Sequence, residues 1–153
     1  MTIEVRNETT AQVDEKEFVH LARFVFEALH LHPATELSIL FVDEEAMERL
    51  HVQWMDEPGP TDVLSFPMDE LTPGTADRPA PEGLLGDVVI CPAVASRQAA
   101  ESGHSAVEEM LLLTCHSILH LLGYDHAEEE ERRVMFDLQR KLLLTFLASR
   151  RDA

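Results

Sequence analysis

Apolar and charged residues alternate from Ile3 to Arg6 (IEVR), as in a half-buried strand, and the run from Asp14 to Leu29 then repeats its apolar residues at helical spacing. A second unit of the same kind follows. Glu36 to Val42 (ELSILFV) is a β-rich run, and Asp43 after it is a good N-cap for the helix DEEAMERLHVQW. Six of the eight prolines then fall between Pro58 and Pro81. Within that stretch only Asp62 to Phe66 (DVLSF) is free enough of breakers to form a short strand, expected at a sheet edge. Asp69 to Gly83 (DELTPGTADRPAPEG) reads as a mobile loop inside one domain, placed to lie over a site, because too little chain remains on either side for two cores.

Gly86 to Cys91 (GDVVIC) has the composition of the most buried strand, and Pro92 suits the first turn of the helix PAVASRQAAES, which Gly103 ends. Ser105 caps a long apolar-periodic helix reaching Leu122, with Glu108 at the capping-box position and Gly123 as its stop signal. This is the expected central helix. Ala127 to Arg150 forms a last helix, acidic at its start and basic at its end, as the helix dipole favours. The sum is an α+β domain, a small mixed sheet of about four strands packed with helices, because strand and helix runs do not alternate strictly enough for a doubly wound fold.

Composition narrows the function. A chain of 153 residues can bury a core without disulfides, and its two cysteines, Cys91 and Cys115, form no CxxC pair and read as buried reduced thiols. The start MTIEVRNETT has no apolar signal core, and polar residues interrupt the apolar stretch Leu111 to Leu122, so a soluble, cytoplasmic protein without a membrane segment is expected. Twelve basic against 29 acidic residues give a net charge of −17, which argues against binding DNA or any nucleic acid by charge alone. From Ala127 onward six bases meet six acids, so the whole surplus lies upstream.

The chemistry concentrates in His116 to His126, HSILHLLGYDH. His116 and His120 lie one helical turn apart, about 6 Å along the axis, and project from one face where they can share a metal. Gly123 permits a left-handed turn that can carry His126 back to the same point. Three imidazoles leave a fourth tetrahedral position for water, the arrangement of a catalytic zinc site, with one zinc per chain. HxxxHxxGxxH also has the offsets of the metzincin peptidases, but zincins place a Glu immediately after the first His as general base, and Ser117 stands there. Either the metal-bound water is acidic enough unaided, or the base comes from elsewhere in the chain or from the substrate.

The segment resembles the YbeY endoribonucleases, the ribosomal RNA maturation factors, whose signature is HGxLHLxGYDH; only Ser117 departs from it, replacing Gly. The resemblance extends through Pro60 to Pro67 (PTDVLSFP), Gly86 to Ile90 (GDVVI) and Met135, and so covers most of the chain. It implies a zinc-dependent single-strand endoribonuclease with His116, His120 and His126 as ligands. It further implies a role in maturing small-subunit ribosomal RNA and in ribosome quality control, with ribosomal proteins or an assembly GTPase as partners. The family usually carries an arginine six residues before the Thr of PTDVLSF, regarded as a substrate-handling residue, where this chain has Met55. Between Asp56 and Asp87 eight acids face only Arg78, so the ribosome is expected to bring the RNA.

Asp62, Ser65 and Asp125 are the candidate catalytic residues. Asp62 and Ser65 lie on the motif strand that can line the cleft, and Asp125 is placed to orient a ligand imidazole or simply to bond its own turn. Trp54 and Met55 are expected in the core, and the EEEERR run from Glu128 to Arg133 on a solvated helix start whose basic end can touch a partner. Two other functions stay open: a zinc peptidase, and a ribosome-assembly factor with a structural metal and vestigial nuclease activity.

Overall fold

A computed structural model describes residues 2–151. Strand β1 (Ile3–Asn7) turns Ile3 inward, and helix α1 (Glu15–Ala28) buries Phe18, Leu21, Ala22, Val25 and Phe26 along one stripe. α1 carries the chain back so that β2 (Glu36–Phe41) pairs parallel with β1, Leu37, Ile39 and Phe41 facing the same core. Asp43 caps α2 (Glu44–Met55), its carboxylate accepting from the Ala46 N–H at 2.8 Å. Then β3 (Val63–Pro67) and β4 (Leu84–Ile90) pair antiparallel, while β4 runs parallel to β2. The four-stranded sheet is mixed, in the order β1-β2-β4-β3, with proline-flanked β3 at the edge.

Pro92 opens α3 (Pro92–Ser102), and Ser105 caps α4 (Ala106–Leu121) by accepting from the Glu108 N–H. α4 buries residues around most of its circumference, from Met110 and Leu111 to Leu119 and Leu121, and packs on β3, β4, α1, α3 and α5. It is the central helix the apolar run predicts. α5 (Glu129–Arg151) adds Met135, Leu142 and Phe146 to the same core, starting just beyond the expected Ala127. Cys91 and Cys115 are free and buried, and burial pushes the Cys115 thiol up to about 12. Among the described residues no helix is long and apolar enough to cross a membrane.

Two findings differ from the sequence expectation or refine it. Trp54 and Met55 are not core: they are 60% and 44% exposed. Met47 is the only residue of α2 that is fully buried, and Trp54 on the helix's last turn meets Phe66 of the edge strand β3 edge-on. The segment from Asp69 to Gly83 is tied to the end of α1, its Gly74 and Ala80 N–H groups donating to the Leu29 and His30 carbonyls at 2.9 Å. Leu71 and Ala80 join the core there.

Candidate metal centre

The chemistry of α4 depends on where its ends are fixed. The Ser105 cap sets the start, and at the other end Gly123 takes φ +96°, which reverses the chain after Leu122 and lets the Tyr124 N–H donate to the Leu119 carbonyl. The turn delivers His126 against the two histidines of the helix. The ring centres of His116, His120 and His126 stand 5.8, 5.6 and 5.5 Å apart, a nearly equilateral triangle. A tetrahedral ion bonded to three imidazoles at about 2.1 Å would set ring centres roughly 5.3 Å apart, close to what is found.

The hydrogen bonds around the rings suit metal binding. His120 Nδ1 lies 2.8 Å from the Tyr124 carbonyl, which can only accept, so Nδ1 carries the proton and Nε2 keeps its lone pair. His116 Nδ1 donates in the same way to Gln139 Oε1 at 2.7 Å. Burial holds the His116 imidazole below its ordinary 6.5, outweighing the opposing pull of the Gln139 bond, and so favours the neutral form a metal needs. Phe136 stacks on both His116 and His126, 6.0 Å from each ring centre, and closes the α5 side.

Asp125 is brought closer than the sequence implied. Its carboxylate and the donor nitrogens of His120 and His126 all lie within 4.8 Å of one another, so this exposed His/Asp/His group can hold a metal ion. Asp125 Oδ1 also accepts from the His126 backbone N–H at 2.7 Å, which fixes the turn. His116 faces that group from one helical turn deeper, at the ring separations given above.

Asp62 lies just before β3 and Ser65 lies on it, the strand that packs on α4. Ser65 Oγ shares a hydrogen bond with Ser117 Oγ, so the residue that departs from the HGxLHLxGYDH pattern is buried against the motif strand and occupies the Ser65 hydroxyl. Asp62 Oδ1 accepts from the Val63 N–H at 2.8 Å. With its amide nitrogen toward the carboxylates, Gln98 donates to Asp62 Oδ2 and to Glu109 Oε2, 3.0 Å each, and His104 Nε2 meets the other Glu109 oxygen at 2.6 Å. Asp62 is thereby held by the start of β3 and by Gln98 of α3, whose amide Glu109 of α4 shares.

Gln139, Phe136, Gln98 and Glu109 were missed by sequence reasoning. Gln139 had a visible signal, a glutamine on the apolar stripe Met135, Leu138, Leu142 and Phe146, where it is 9% exposed. The other three contacts arise from the packing of separate helices and leave no spacing to read.

Comparisons with known proteins assign the chain to a family. A profile described as Endoribonuclease YbeY matches residues 2–147. A protein of that name from Beutenbergia cavernae is 67% identical over 150 residues, spanning 98% of this chain and 100% of the relative. Another from Renibacterium salmoninarum is 64% identical over 153 residues, spanning 100% of this chain and 96% of the relative. A Thermotoga maritima protein whose structure was solved in solution superposes with a TM-score of 0.67 at 26% identity, covering 98% of this chain and 92% of that one. With its signature segment folded into one histidine cluster and its whole length matched, the chain belongs to the endoribonuclease YbeY family.

Proposed function

We propose that this protein is a zinc-dependent, cytoplasmic endoribonuclease that cuts single-stranded regions of precursor RNA during maturation of the small ribosomal subunit and its quality control. The observation that carries the reading is the convergence of His116, His120 and His126 with two of the three tautomers set by hydrogen bonds. Those three residues would hold the ion, with the Asp125 carboxylate near His120 and His126. Zinc would supply Lewis-acid stabilisation of the charge that develops on a phosphodiester and an acidified water.

The chain's own residues do the rest. The Tyr124 carbonyl and Gln139 keep two imidazoles turned, so no reorientation is needed when substrate arrives. Phe136 keeps water from one side of the cluster. Asp62 is pinned by Gln98 and the start of β3 and so acts by fixed charge on the cleft rather than as a mobile base. Ser65, with its hydroxyl engaged, positions the strand.

Zinc-loaded protein should cleave a single-stranded RNA, lose that activity with chelator, and leave peptides intact; cleavage of peptides instead would overturn the reading. A second reading, an assembly factor whose metal holds the fold, draws on Met55 and the acid-rich stretch beside it. Recruitment by ribosomal proteins or an assembly GTPase would reconcile that surface with catalysis. Met55→Arg should then bind and cleave free RNA better, its log affinity falling more steeply with log salt by about 0.7 for one added contact to a single strand. The gain should nearly vanish on ribosome-bound substrate. Identical salt slopes for variant and parent would remove the role assigned to Met55.

A further inference from the structure

The first turns of α5 hold a cation that the mechanism above leaves unused. Arg132 places its guanidinium carbon 5.4 Å from the centre of the Phe136 ring, and Phe136 is the ring that stacks on His116 and His126. Arg133, its neighbour, is bound to Glu130 and Asp137; among the described residues no carboxylate pairs with Arg132. A guanidinium held over an aromatic ring by a cation–π contact still has N–H donors to offer a pair of oxygens, the pattern that suits phosphate. Arg132 is exposed, one ring away from the histidine cluster.

We propose that Arg132, held over the Phe136 ring, is a substrate-binding residue that takes a phosphate of single-stranded RNA next to the metal centre. The inference rests on the endoribonuclease reading and adds to it the contact that sets where the backbone lies. It also supplies, from α5, a positive charge on a chain whose end of α2 offers Met55. The surrounding glutamates from Glu128 to Glu131 restrict the site, because they repel a strand that does not meet Arg132 directly.

Arg133→Gln removes the same charge one residue away and serves as the matched control. Binding of a fluorescent single-stranded RNA would be measured across a salt series, beside cleavage kinetics and zinc titration against a chromophoric chelator. Arg132→Gln should weaken binding and raise KM by about tenfold, the size of one charge-assisted contact, and flatten the log–log salt slope by about 0.7. Its zinc affinity and melting temperature should stay those of the parent. Arg133→Gln should change slope and KM by less than about twofold, because its charge is already neutralised by two carboxylates. Equal effects of the two variants would overturn the inference alone, since they would mean general electrostatics. A parent protein that neither binds nor cuts RNA while binding zinc would overturn the endoribonuclease reading and this inference with it.

Discussion

Replacing His120 with alanine will leave the purified protein without stoichiometric zinc, and so will replacing His116. The parent should carry about one zinc per chain by elemental analysis, and neither variant should, because two neutral imidazoles do not replace three. The loss in affinity should exceed the roughly 10–100-fold expected of Gln139→Leu, which removes only the acceptor that orients His116. Asp125→Asn decides between two ligand sets. If the exposed group His120, Asp125 and His126 holds the ion, that variant empties the site and His116→Ala does not. If the three histidines hold it, the order reverses. Protons compete with metal for the imidazole nitrogens, and burial keeps His116 neutral below its ordinary value, so occupancy should fall as pH drops below about 6 and recover above it. Full zinc in the His116 variant, or full retention at about pH 5, would sink the three-histidine site.

Gly86→Ala should cost more stability than any surface change. Gly86 has φ +148°, and an added methyl would lie 2.3 Å from the Phe66 carbonyl oxygen and 3.1 Å from both Pro67 Cα and Leu121 Cδ2. The strain arises where β4 carries one residue more than β2: Glu36 pairs with Leu84 but Leu37 with Gly86. Backbone cannot rotate away as a side chain can. Strain and overpacking together should remove about 3 kcal/mol or more, lowering the melting temperature by roughly 6–12 °C for a chain of this length. Because β3 is what must move, RNA cleavage should fall along with stability. A thermal scan within about 2 °C of the parent would refute this account of the strand pair.

Much of this was legible in the sequence because the signals were local. Asp43, Ser105, Pro92, Gly103 and Gly123 fix helix ends through their own backbone and side-chain chemistry, and all five act where the pattern places them. The histidine triangle follows from one helical turn plus one reversal, within eleven residues. Trp54 misled because hydrophobicity at helical spacing marks a face without saying what covers it, and here the ring meets Phe66 edge-on and stays exposed. The partners of Gln139 and Gln98 lay beyond reach for another reason. His116, Asp62 and Glu109 belong to other elements of the fold, and only packing reveals which polar group meets which.

The hydroxyl pair between Ser65 and Ser117 bears on how this sequence can drift. A serine at a position that is wholly buried needs a partner, and the strand supplies one. Changing Ser65 alone to alanine strands the buried Ser117 hydroxyl at a cost of about 1–3 kcal/mol, whereas changing both removes the obligation and should cost less than the sum. The two sites therefore form one unit, in which the Ser65 substitution is acceptable only against the right background. A glycine at position 117 would lift that constraint and leave the half-buried Ser65 hydroxyl free to take up a different partner.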